Sequence, residues 1–440
     1  MNKDMNSGLS NRIKAEAMRL GFSVCGISRA EAVDKDEAKR FTSWLGTGGN
    51  ATMAYMENHL EKRLDPRLLV PGTRSIVSVA LNYAPAKRLP KGEYQIAAYA
   101  LGQDYHDIVK GKLRELASNI FGERANEEGK EIRVFSDSAP VLERYWAVKA
   151  GIGWIGRNHQ LIVPRAGSMF FLGEMFVPVE LEYDSPMETR CGKCRRCIDA
   201  CPTGALAINA GNSMQSTFLS SKCLSYQTIE NRGDIPDDMA AAMGDTIYGC
   251  DRCQQACPWN KYASPTEEPL LQPKEELMEM TREQWQALSE EDYRRLFKGS
   301  AVKRAKYEGL MRNINSVRQS MDRKQNGKMN REEEITNVVN EFFHEFTWGI
   351  TAKETGKTPE MIEPKMLKRV MLEHYEEIAD AFHHAAYQRI AAINGIEVPG
   401  IPETITPDMM RSACASEELF NAMVEAYRRN FISLLKGIAL

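Results

Sequence analysis

The stretch CGKCRRCIDACP, residues 191–202, sets Cys191, Cys194, Cys197 and Cys201 in a C-x2-C-x2-C-x3-C run that ends on Pro202. This is the spacing of bacterial ferredoxins, where three thiolates of one loop hold a four-iron cluster and the fourth ligates the other cluster of a pair. A lone run is therefore one ligand short and needs a partner. Cys250, Cys253 and Cys257 supply it as C-x2-C-x3-C followed by Pro258, with Cys223 replacing the missing first cysteine. The bookkeeping closes at eight of the ten cysteines. Cys191, Cys194, Cys197 and Cys257 go to a first [4Fe-4S] cluster; Cys201, Cys223, Cys250 and Cys253 go to a second. Zinc also accepts C-x2-C pairs, but it calls for neither the third C-x2 step nor the Cys-Pro ends. Cys25 and Cys414 read as packing thiols.

Crowded cysteines suit metal binding where the compartment is reducing. The first residues, MNKDMNSGLSN, carry neither an apolar signal core nor a twin-arginine pair, so a cytoplasmic location is expected. No apolar run approaches the roughly 18 residues needed to cross a bilayer, and no membrane association is expected. The net charge of −3 gives no global pull on nucleic acid, so any RNA contact must come from local basic patches.

The expected fold class is α+β with three parts: an α/β catalytic domain, a ferredoxin-like two-cluster domain and a helical C-terminal region. Residues 1–184 combine helical patterns such as LSNRIKAEAMRL with strand-like FSVCGI, SIVSVALNYA and GSMFFLGEMFV, which points to an α/β layered domain. The glycines 151, 153 and 156 form a GxGxxG that precedes a strand-like run. A dinucleotide fingerprint needs the strand before and a helix after, so that reading is rejected. Residues 185–262 are the cysteine-organised unit and 263–321 a helical segment closing the core. The polar DRKQNGKMN (322–330) reads as a linker, and 331–440 as several helices, among them 366–393 and 417–438 separated by PGIPETITPD.

Further motifs carry a resemblance. SDSAPVLERYWAVKAGIGWIGRN (136–158), AAYALGQDYHDIVKGKL (97–113), GSMFFLGEM, CLSYQTIE, YGCDRCQQACPWN and GSAVKRAKYEGLMRN together resemble the epoxyqueuosine reductases over residues 8–318, leaving 320–440 uncovered. The resemblance implies a base-off cobalamin held between the first two domains, and a tRNA wobble nucleoside bearing an epoxide as substrate. Two electrons and two protons remove the epoxide oxygen as water. An external low-potential donor and a monomeric enzyme are expected.

An epoxide oxygen leaves poorly unless protonated, and Asp137 matches the family's proton donor. Burial is expected to raise its pKa. On residues alone, SDSAP serves equally well as the cap of a helix starting near Pro140. Glu143 and Arg144 can either orient Asp137 or pair with each other. His106 is open between a site contact and a structural role, and is not expected to ligate cobalt. The resemblance places Tyr99, Asp104, His106, Asp137, Asn158, Ser168, Glu230, Gly249 and Cys250 around the cobalamin, with Gly249 permitting its close approach. Lys298, Lys303, Arg304, Lys306 and Arg312 are the tRNA candidates, with Lys193, Arg195 and Arg196 adding charge near the first cysteine run. Two other readings stay open: a corrinoid reductase of a small molecule, as in reductive dehalogenases, and a non-catalytic ferredoxin-type electron carrier.

Overall fold

SIVSVALN, mostly small and β-branched, forms a strand buried along almost its whole length, β2 (Ser75–Asn82). In this computed structural model, which describes residues 3–122, 132–208, 216–356, 369–370, 373–397, 406–414 and 416–425, it sits inside a four-stranded sheet. Its neighbours are β1 (Val24–Arg29) and β7 (Phe170–Val177), and β4 (Arg133–Phe135) closes the far edge, giving the order β1-β2-β7-β4. Shorter pairs are β5 (Trp154–Ile155) with β6 (Leu161–Ile162), β8 (Leu206–Ile208) with β9 (Ser216–Phe218), and β3 (Gln95–Ile96) with β10 (Thr246–Tyr248). All three pairings in the main sheet are antiparallel. This corrects the α/β expectation: the helices do layer on the sheet, but no parallel βαβ unit builds it. Apolar runs reveal that a strand is buried and not which way it points. The glycine-rich 151–156 leads into the β5–β6 hairpin, with no helix after it.

One face of the sheet packs Ile27, Val77, Val79 and Met175 against Ile13 and Ala17 of the helix Lys3–Arg19, and against Val109, Leu113 and Leu116 of the helix Tyr105–Phe121. The other face lies under the helix Glu143–Lys149. There Ile76, Phe135 and Phe176 meet Tyr145 and Trp146, while Ala80 and Leu172 meet Ala147 and Ala150. Between these two apolar groups runs a register row of different character: Gly26, Ser78, Glu174 and Phe135.

The cysteine-rich part contributes two short helices, Arg196–Asp199 and Arg252–Gln255, which pack on each other. Each ends just before a Cys-Pro step, where proline stops the helix.

The chain divides into two units, Met1–Ser320 and Met321–Leu440. The expected linker 322–330 is instead helical, part of one helix over Lys306–Thr355. Its Arg, Lys, Gln and Met residues are strong helix formers, and one glycine and two asparagines do not outweigh them. The second unit has its own core, in which Val339, Phe382, Ile390, Met410 and Cys414 are buried. It includes the helices Tyr375–Ile393 and Pro407–Ala413. Of the expected helices, residues 366–368, 371–372 and 426–438 lie outside the described residues, as do 399–405 of the separating segment.

Gly26 fixes how closely the helix Glu143–Lys149 and its end can lie on β1. A Cβ there would sit 2.0 Å from the Ala150 carbonyl oxygen, a clash with backbone that no rotamer relieves. Gly26→Ala is expected to cost about 1–3 kcal/mol, read as a lower denaturant midpoint.

Candidate active site

β4 ends at Phe135, and the next helix starts at Glu143, so SDSAP lies in the connecting loop. Asp137 adopts φ +54°, a left-handed conformation that aspartate tolerates better than most residues. Three groups hold it there. The Tyr105 hydroxyl donates to Asp137 Oδ2, Glu143 Oε1 accepts the Asp137 backbone N–H, and His106 Nε2 stands 3.7 Å from Oδ2. Tyr105 is itself fixed by stacking on Phe171, centroids 4.1 Å apart. The cap reading of SDSAP falls away: Leu142 is the N-cap position, with no side-chain cap bond. Glu143 and Arg144 do not pair with each other; the Arg144 guanidinium donates to the His159 carbonyl.

Behind this group, Asp104 caps the helix Tyr105–Phe121 by accepting the His106 N–H at 3.0 Å. The same oxygen lies 2.6 Å from His106 Nδ1, which turns Nε2 toward Asp137. Burial alone would discharge His106, but hydrogen bonds to Asp104 and Asp137 outweigh it and raise its pKa to about 9.

The acid–base order of the carboxyls differs from expectation. Burial works to raise Asp137, yet hydrogen bonds from His106 and Tyr105, and the charges of His106 and Arg144, hold it below the usual carboxylate range. Its side chain is 63% exposed, open on one side within a protein-walled recess. The raised carboxyls are its neighbours. Burial and the Asp137 charge push Glu143 up to about 8. Burial, then the charges of Glu143 and Asp137, push Glu174 well above the ordinary range.

The eight clustered cysteines are all free thiols. Burial raises Cys197, and its next influences are Cys257, Cys191 and Cys194. Burial likewise raises Cys253, followed by Cys250, Cys223, Cys197 and Cys201. Eight soft thiolates in two runs are a donor set that suits a pair of [4Fe-4S] clusters. Arg157 braces the first run, its guanidinium donating to the Cys194 and Gly192 carbonyls at 2.6 and 2.7 Å.

The remaining expected contacts divide. Asn158 is 4% exposed and its amide nitrogen has no protein partner, as a ligand-facing donor would. That orphaned donor and the open Asp137 recess fit a polar-edged cofactor. Tyr99 reaches Tyr248, hydroxyl to hydroxyl at 3.3 Å. Ser168 is engaged by Asn260, which accepts its N–H at 2.6 Å and donates to its hydroxyl at 3.0 Å. Gly249, with φ +69°, would place a Cβ 2.4 Å from that of Ala97, so the chain's own packing also requires a small residue there. Cys250 follows it at the end of β10. Glu230 is bound by Arg304 through two hydrogen bonds of 2.8 Å. Arg312 donates to the carbonyls of Asn231, Gly233 and Gln227, so it secures a loop, and Lys298, Lys303 and Lys306 are exposed. Sequence reasoning passed over Glu174, Arg157 and Asn260. Only Glu174 left a signal, a charged residue inside an apolar strand.

Two family models match this chain: "Epoxyqueuosine reductase QueG, DUF1730" over residues 63–138 and "4Fe-4S double cluster binding domain" over 190–260. The epoxyqueuosine reductase of Cellulophaga algicola is 45% identical over 309 residues, covering 70% of this chain and 98% of its own. The chain belongs to the epoxyqueuosine reductase family. A crystal structure of an epoxyqueuosine reductase with an epoxyqueuosine-modified tRNA-Tyr stem loop shares its fold, at TM-score 0.64 and 22% identity, over 96% of this chain and 99% of that one. That coverage reaches into the second unit, which the notion of an uncovered tail had set apart. The Bacillus subtilis epoxyqueuosine reductase, in a structure with its aspartate-bearing catalytic loop swung out of the active site, matches at TM-score 0.62 and 22% identity, over 96% of this chain and 98% of its own. Among the described residues no helix is long and apolar enough to cross a membrane.

In this family member, His106 should titrate near pH 9 by NMR, and Asp104→Asn should lower that value. Because the folded pKa lies above the unfolded one of about 6.5, the stability the charged ring contributes is complete below about pH 6.5. It is lost as pH rises through 9.

Proposed function

We propose that this chain reduces epoxyqueuosine to queuosine at the wobble position of tRNA, with Asp137 delivering the proton that lets the epoxide oxygen leave. The observation that carries the assignment of roles is the recess itself. Asp137 is the open carboxyl of a trio, held by Tyr105, His106 and the Glu143 contact to its backbone. The reaction adds two electrons and two protons, breaks both carbon–oxygen bonds of the epoxide and releases water, leaving an alkene. Cobalamin, when bound, supplies low-valent cobalt as the electron source next to the substrate. Asn158, with its free buried amide, and the residues Tyr99, Asp104 and His106 around the recess are the groups proposed to hold it.

The chain's own part is acid–base and positional. A nucleoside entering the recess strips water from Asp137 and so raises its affinity for a proton. Protonated His106 and the Tyr105 hydroxyl keep the carboxyl aimed while charge moves. Electrons are proposed to arrive through two [4Fe-4S] clusters, one on Cys191, Cys194, Cys197 and Cys257, the other on Cys201, Cys223, Cys250 and Cys253. The influence of Cys191 and Cys194 on Cys257, which lies in the other run, supports the crossed pairing. An external low-potential donor, a monomeric state and a cytoplasmic location complete the reading. Phosphate contacts fall to Lys298, Lys303 and Lys306, with Arg304 held by Glu230 and Arg312 used structurally.

Purified protein loaded with both clusters, cobalamin and a low-potential reductant should convert epoxyqueuosine-tRNA to queuosine-tRNA. Asp137→Ala should lower the rate by about 10²–10⁴-fold with tRNA affinity retained; full activity of that variant would remove Asp137 from the mechanism. Cys201→Ser and Cys257→Ser should each leave about half the iron of the parent protein, and should remove different clusters by electron paramagnetic resonance.

A further inference from the structure

Glu174 sits in the middle of β7, 0% exposed, with neither carboxyl oxygen satisfied by any protein group. Across the sheet it is the register partner of Ser78 on one side and of Phe135 on the other, two residues before Asp137. Ser78 and Ser28 present buried hydroxyls that also lack partners. Both serines share Glu174's sheet face, because Ser28 pairs with Ile76 and Ser78 lies two residues on. The lid over this face is the helix Glu143–Lys149, whose first residue holds the Asp137 amide. Ser78 and Glu174 thus share one register row that ends at Phe135, two residues before the catalytic aspartate, and Ser28 lies on the same face in the next row. An ionised carboxylate in such a place would be very costly, whereas a neutral carboxyl with bound water is tolerated.

Reduction of the epoxide needs two protons, while Asp137 in the open recess is kept ionised by His106 and Tyr105. Once a nucleoside covers the recess and strips water from Asp137, a group behind the loop is placed to resupply it. We propose that Glu174 is a buried proton reserve for the reaction, passing its proton through Glu143 to Asp137 and regaining it from water between turnovers. In each cycle Glu174 loses one proton to Glu143, Glu143 gives its own to Asp137, and Asp137 delivers one to the departing oxygen; a proton taken from water at Asp137 then passes back through Glu143 to Glu174, and the cost of a buried carboxylate drives that return. The titratable and charged groups facing the relay are Asp137, Glu143, Arg144, His106, Tyr105 and, through His106, Asp104. Glu174 acts through its neighbours and is a positioning residue, never in contact with substrate. This inference rests on the epoxide-reducing function proposed above.

Glu174→Gln keeps the shape and removes the titrating proton. In fully loaded enzyme it should leave tRNA affinity and iron content unchanged. It should lower steady-state turnover roughly tenfold at and above neutral pH, less than the loss of a direct donor. The deficit should shrink toward acid pH, where bulk protons substitute, and Glu174→Asp should restore part of the rate. Independently of activity, infrared difference spectra of the protein without tRNA should show a protonated-carboxyl band at neutral pH that Glu174→Gln removes. A turnover–pH curve of Glu174→Gln that overlays the parent curve, or a carboxyl band that survives the substitution, overturns the proposal. Should Glu174→Gln not fold, parent protein with isotope-labelled glutamate decides: no protonated glutamate at neutral pH overturns it. Parent enzyme that leaves epoxyqueuosine-tRNA untouched defeats the functional reading instead, and the infrared result then still decides whether Glu174 stores a proton.

Discussion

The hydrogen bond from the Asp137 backbone N–H to Glu143 ties the end of the sheet to the start of the helix that covers it. Around that bond the site is assembled. The Tyr105 hydroxyl approaches from the helix on the opposite face of the sheet, and His106, set by Asp104, follows one residue later. The loop is therefore held from both layers, and its left-handed aspartate persists because the surroundings over-determine it. Close packing of the covering helix at Gly26 keeps Glu143 where the bond requires it.

A second set of contacts joins the cysteine-bearing loops to the sheet. Asn260, just past Cys257-Pro258, bonds Ser168 and the Gln254 carbonyl, and Gln254 in turn bonds the Tyr83 hydroxyl at 3.0 Å. Trp259 meets Trp154 edge to face, centroids 4.9 Å apart. The cysteine-bearing loops and the sheet that carries the Asp137 loop are thus joined by direct contacts, and the proposed roles of both require their spacing to be fixed.

Much of this was legible in the chain itself. Cysteine spacing is set by the geometry of the cluster, so the double-cluster domain that the family model matches over 190–260 could be expected without a fold. Buried strands announced themselves as apolar runs, and β2 and β7 fell where those runs lie. Strand direction was hidden, since an apolar run reads alike both ways, and so was the helical nature of 322–330, where a polar surface helix imitates a linker. The roles of the basic residues were the least visible. Arg304 and Arg312 look like phosphate ligands until three-dimensional neighbours, Glu230 and a set of loop carbonyls, claim them. The ordering of the carboxyls was likewise hidden, because it depends on which oxygen has a donor at hand: Asp137 has two, and Glu174 has none.

The crossing of cysteines between the two runs has a consequence for how the protein is made. Under the proposed pairing, the first run cannot finish its cluster until Cys257 has emerged from the ribosome, and the second cannot be completed without Cys201 from far upstream. Neither loop is an independent iron-binding module during synthesis. On that pairing, a truncated chain that stops short of Cys257 would hold thiols open to oxidation and no complete cluster, and iron loading would report that this part of the polypeptide has been fully translated.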